Sequence, residues 1–77
     1  MIRFQLMLSV YGSRQMICRE VEFPSLPRVG DHVQVNGQAH LVQTVLWGPD
    51  GKNIKVMLSG TAKREDLDEG YEGWEAR

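Results

Sequence analysis

Ile2, Phe4, Leu6, Leu8 and Val10 occupy alternate positions, separated by Arg3, Gln5, Met7 and Ser9 and followed by Tyr11. A period of two marks a strand with one buried face, so Met7 and Tyr11 are expected to point outward. Gly12-Ser13 offers a turn, and Arg14 to Phe23 returns with Ile17, Val21 and Phe23 on its inner side. Arg19 breaks that alternation, which calls for an edge position or a bulge. Pro24-Ser25-Leu26-Pro27 is excluded from an interior strand because proline has no N–H to give to a ladder. It reads as an extended crossover, with Leu26 plugging one end of the core.

Two β-rich runs then flank Asn36-Gly37, and Gly48-Pro49-Asp50-Gly51 leads into a third run, Asn53 to Ser59. Asn-Gly and Pro-Asp-Gly supply the backbone angles of tight reversals, which predicts a three-stranded meander. A two-residue loop at Asn36-Gly37 would set Val33 opposite His40 and Val35 opposite Gln38. A three-residue loop sets Val33 opposite Leu41 and Val35 opposite Ala39, keeping one face apolar, and is therefore expected. It places His32, Gln34, His40 and Val42 together on the outer face. From Leu41 to Trp47 both parities are apolar, which predicts either a face switch at a bulge near Gln43 or a strand covered on both sides. In the last run Ile54, Val56 and Leu58 are assigned inward, and Lys55, Met57 and Ser59 outward.

The character changes after Gly60. Residues 1–60 carry six Lys or Arg against four Asp or Glu, net +2, whereas residues 61–77 carry three against six, net -3. A barrel over residues 1–60 followed by an acidic tail over 61–77 is the expected organisation. Thr61 is placed to cap a short helix over 62–69 that ends at Gly70, with Arg64 and Asp68 as an i,i+4 pair. Tyr71 and Trp74 follow.

The bulk numbers narrow the class. A 77-residue chain with 42% hydrophobic and 25% charged residues is one small globular domain with little room for an enclosed pocket. Its net charge of -1 gives no overall pull toward nucleic acid or membrane. The single Cys18 cannot form an internal disulfide and suits a reducing compartment. Its place in a strand-like run reads as a small packed residue instead of a nucleophile. No apolar run approaches the roughly 18 residues of a membrane span, and no targeting peptide is recognised, so a cytoplasmic chain is expected.

Five strands with short turns predict an all-β fold, a small five-stranded antiparallel barrel or strongly bent sheet with a short C-terminal helix or acidic tail. The run Pro27-Arg28-Val29-Gly30-Asp31-His32-Val33-Gln34-Val35, with its VGD-x-V-x-V entry and the hydrophobic stretch on to Trp47, resembles the SH3-like small barrels. Similar entries occur in small bacterial and phage proteins. That superfamily has RNA-binding, peptide-binding and scaffold members, so the resemblance implies a fold and carries over no functional residue.

Catalysis needs two or three convergent polar groups in a pocket, and one Cys, two His and tail-weighted acids do not supply them. No phosphate-cradling loop or metal-ligand spacing occurs, and two strand histidines fall short of a ligand set, so no cofactor or metal is expected. The expected function is non-enzymatic protein binding or self-association as a homodimer. Met7, Tyr11, Met57, Tyr71, Trp74, Asp66, Asp68 and Glu69 are the contact residues, with Val42 beside them on the outer face. An adaptor, an assembly piece or an inhibitor such as a phage-encoded one would suit this chemistry. The alternative is binding of RNA or single-stranded nucleic acid through Arg3, Arg14, Lys52 and Lys55, with Tyr11 as a stacking platform.

Overall fold

The computed structural model describes residues 1–67 and 70–76. Six strands form one sheet: β1 (Ile2–Val10), β2 (Met16–Phe23), β3 (His32–Val35), β4 (Gln38–Trp47), β5 (Ile54–Ala62) and β6 (Glu75–Ala76). Their order is β3-β4-β5-β1-β2-β6, and the sheet curls strongly into a half-barrel. The all-β class is as expected, with three differences. A sixth, two-residue strand adds to β2. β1 and β5 run parallel, because the chain crosses the mouth of the sheet after β2 before it pairs with β1's other side. In place of a helix over 62–69, the described residues contain one 3-10 turn, Arg64–Asp66. Thr61, the expected cap, lies within β5, and Lys63 at the turn's start makes no capping bond. Asp68 and Glu69 lie outside the described residues.

The period-two pattern of β1 becomes the centre of the core. Phe4, Leu6, Leu8 and Val10 are all buried, and β1 lies between β2 and β5 so that both neighbours extend the same apolar face. Val56 and Leu58 of β5, Ile17 of β2 and Val42 of β4 join it, and Phe23 meets Phe4 edge-on at 5.2 Å between ring centroids. Arg19 stands opposite Leu6, on the inner parity, yet is exposed because β2 lies toward the open side of the sheet.

The β3–β4 hairpin corrects the expected register. Asn36 at φ 50° and Gly37 at φ 79° both occupy the left-handed region, the requirement of a two-residue type I′ loop. Val33 therefore stands opposite His40 and Val35 opposite Gln38. His40 and Val42 point inward and are buried, not outward with His32, while Leu41 is exposed. The turn's backbone preference outweighs the mismatch because the imidazole finds a partner. Its Nδ1 lies 2.8 Å from the Ser59 carbonyl, to which Nδ1–H donates. Gly60 at φ 84° makes the room, since a Cβ there would lie 3.0 Å from that nitrogen. The face switch in β4 does come at Gln43, where the register shifts between Val42 and Thr44.

The segment after β5 closes the mouth of the half-barrel. Gly70 lies so close to the Asn36 side chain that a Cβ there would clash with it. Tyr71 is buried in the core, with Leu67 and Trp74 packed against the same cluster, and Gly73 passes over the Arg19 guanidinium. β6 then pairs with Ile17 and Cys18. This segment shares the core of the strands before it, although its composition reads as a separate tail.

Candidate interaction surface

Odd-numbered positions of β1 face away from the core, and the register aligns them with outward residues of both neighbours. Met7 stands beside Met57 on β5 and opposite Cys18 on β2, and Met57 stands opposite Thr44 on β4. One row across the sheet therefore reads Thr44, Met57, Met7, Cys18. Leu46, which is 46% exposed, lies one row along, opposite Lys55. Met7 and Met57 are half-buried by their neighbours in the sheet, while Cys18 is buried beside β6. The chain after β5 contributes Leu67, Tyr71 and Trp74 to the core cluster, on the inner face and not on the face of Met7 and Met57. Two thioethers at neighbouring register positions are soft and unbranched, a surface that adapts to an irregular partner.

Val42 does not belong to this face, since the bulge at Gln43 leaves it inward and fully buried. The same bulge turns Leu46 outward. Trp47, at the end of β4, shares the inner parity of Val45 yet is 61% exposed. It stands opposite Ile54, where the strand runs into the Gly48–Asn53 turn and no further strand covers it. Apolar residues on both parities of β4 were the sequence signal for these exposed side chains, but parity alone did not say which.

The remaining contact residues fall elsewhere. Tyr11 is 72% exposed after β1, and it lines an open recess of about 580 Å³ together with Asn36, Lys63, Arg64, Asp66 and the edge of Tyr71. Tyr71 is otherwise buried, and it meets Trp74 edge-on at 6.1 Å between centroids. Both tail aromatics thus pack on their own barrel. Asp66 is half-buried in the 3-10 turn, and Asp68 and Glu69 lie outside the described residues.

Of the four cations expected to meet nucleic acid, Arg3, Lys52 and Lys55 line one open recess of about 470 Å³. Arg14 sits in the turn after β1, at the opposite end of the strands. Arg3 is engaged by its own sheet: its guanidinium donates to Glu22 at 2.7 Å and lies 3.5 Å from Glu20. The hydrogen bond that Arg3 donates to Glu22, helped by the charges of Glu22 and Glu20, holds the Arg3 pKa above its ordinary value. Asp50 is shifted down, because its carboxylate accepts the Lys52 N–H at 3.0 Å.

His32 and His40 follow different environments, one exposed and one buried, so they do not form a ligand pair. Among the described residues no group of three or more His, Cys, Asp or Glu is placed to hold a metal ion. No helix among them is long and apolar enough to cross a membrane. The buried His40 Nε2 has no hydrogen-bond partner. Comparison of the chain with protein-family models, curated proteins and solved structures finds no match.

Proposed function

We propose that this chain is a non-enzymatic protein-binding domain that works through the convex face of its sheet, as an adaptor, assembly piece or inhibitor. The observation that carries the reading is the cross-strand pair Met7 and Met57 on the face away from the core, half-buried and flanked by the exposed Leu46. Burying a methionine side chain is worth about 1.5–3 kcal/mol. Met7 and Met57 are already half-buried, so a partner gains only part of that from each, and the exposed Leu46 beside them enlarges the apolar contact. The packing of Tyr71 and Trp74 into the barrel's own mouth shifts the weight of the proposal from the tail to this face. An SH3-like ancestry is compatible with the curled sheet and adds no site residue. Binding tested with Met7→Lys and Met57→Lys decides the matter, using circular dichroism to verify folding. A partner, or a second copy seen by sedimentation, that both variants lose supports the reading. Retention by both folded variants defeats it.

A second reading, nucleic-acid binding, is favoured by the convergence of Lys52 and Lys55 with Arg3 in one recess. Glu20 and Glu22 offset the Arg3 charge, leaving a weak field for phosphates. Titration with a 15-nucleotide single strand, a length of about one binding module, tests it. Absence of binding in about 50 mM salt ends it.

A further inference from the structure

We propose that the gap between β2 and β3 is a strand-acceptor site for an extended segment of another protein in which basic and apolar side chains alternate. The proposal rests on the reading of the chain as a protein-binding domain, but it uses a different surface from the methionine face. The sheet ends at β3 on one side and at the two-residue β6 on the other, which leaves most of β2 without a second neighbour. β6 covers β2 only at Ile17 and Cys18. Among the described residues no backbone group pairs with Arg19 to Phe23 on the side away from β1, nor with β3 on the side away from β4. Unpaired strand edges are templates for another strand.

The two edges flank a common opening. A recess of about 410 Å³ is lined by Phe23 at the end of β2, by His32, Val33 and Gln34 of β3, and by Leu26 and Pro27 of the crossover. Phe23 and Leu26 are half-buried and packed on the core, so the floor of the gap is apolar. The segment after β5 straps the other end of the mouth, where Gly70 meets Asn36 and Gly73 meets Arg19.

The alternation along that free part states what fits. Val21 and Phe23 turn toward the core, and Glu20 and Glu22 turn outward and are exposed. An added strand places its own alternate side chains beside these, apolar over Val21 and Phe23 and cationic beside the glutamates. On the outer face Glu20 and Glu22 share the single Arg3, which leaves a negative charge there, while Arg19 is exposed on the other parity.

A second copy fits poorly. Two β2 edges meeting antiparallel about Glu20, Val21 or Glu22, with inner faces on the same side, must oppose Glu20 to itself, Glu20 to Glu22, or Glu22 to itself. Like charges directly opposite destabilise a sheet. Pro24 beyond Phe23 and β6 at Cys18 limit the use of other centres. The edge thus discriminates against its own kind and accepts a basic strand.

The test uses the full chain, nitrogen-15 labelled, and two capped heptapeptides, Lys-Val-Lys-Ile-Lys-Thr-Lys and its counterpart with Glu in place of every Lys. The lysine peptide is expected to slow amide exchange at least about tenfold within residues 19–23, and the glutamate peptide to leave it unchanged at the same concentration. In Glu20→Lys/Glu22→Lys the preference reverses. If that variant does not fold, Glu20→Gln/Glu22→Gln is expected to abolish the difference between the peptides. Met7→Lys retains the protection whether or not it loses a partner of the convex face, which separates failure of this proposal from failure of the functional reading. Equal effects of the two peptides, protection centred on Lys55 and Met57 instead of the β2 edge, or no protection at millimolar lysine peptide would each overturn the proposal.

Discussion

Tyr71→Ala tests whether the acidic C-terminal segment belongs to the fold or hangs free of it. The side chain is 6% exposed, lies in the core cluster and meets Trp74 edge-on at 6.1 Å. Truncating a buried aromatic costs about 3–5 kcal/mol through lost transfer energy and the cavity left behind. The edge contact contributes about 0.5–1.5 kcal/mol within or beyond that figure. Tyr71 also borders the recess beside Tyr11, so water reaches part of the hole and the lower end applies, about 3 kcal/mol. A 77-residue chain with roughly 0.05–0.15 kcal/mol of stability per residue has about 4–12 kcal/mol in all. The substitution therefore removes between a quarter and three quarters of it. Urea unfolding followed by far-ultraviolet circular dichroism measures this directly. With a slope near 1 kcal/mol per molar, the midpoint is expected to fall by about 3 M. A fall of less than about 0.5 M at unchanged slope refutes the reasoning, because a side chain that closes the core cannot be removed so cheaply.

Gly60→Ala is expected to cost more than Gly51→Ala in thermal unfolding. Both glycines have positive φ, which costs about 1–2 kcal/mol for alanine, but only at Gly60 does the new Cβ meet His40, at 3.0 Å. Equal losses would remove the proposed role of Gly60 in seating the imidazole. His40→Leu is expected to change stability by less than about 1 kcal/mol, because loss of the bond to Ser59 is offset by removal of the unpartnered Nε2. A large loss by chemical denaturation would mean that Nε2 has a partner, such as a buried water. Asp50→Ala probes pH: a carboxylate whose folded pKa is lowered stabilises above its ordinary range and loses that contribution as pH falls through the folded value. The wild type's advantage over the variant should shrink on acidification from neutral pH. An advantage that grows instead would contradict the Lys52 hydrogen bond.

The interior of β1 was legible because four buried residues in one strand repeat the same two-residue step, and any other conformation would scatter them. The adjacency of Met7 and Met57 was legible only as a condition. Parity directs both outward, but that their strands touch, and run parallel, depends on the path from β2 to β5. The hairpin shows where local pattern misleads. Apolar matching favoured the longer loop, yet Asn36-Gly37 took its two-residue form, and a carbonyl nineteen residues away at Ser59 made His40 acceptable inside. Tyr71 and Trp74 carry no periodicity, so their burial had no signal beyond residue type.

The five longer strands, the turn positions and the inward face of β1, β5 and most of β2 are properties of the sequence by itself, since they depend on side-chain alternation and on backbone angles set within a few residues. Which strands are neighbours, which edges stay open and what closes the mouth were decided only by tertiary structure. Those choices turn on contacts between segments far apart in the chain, such as Gly70 with Asn36 and Glu75 with Cys18, whose energies no local window contains.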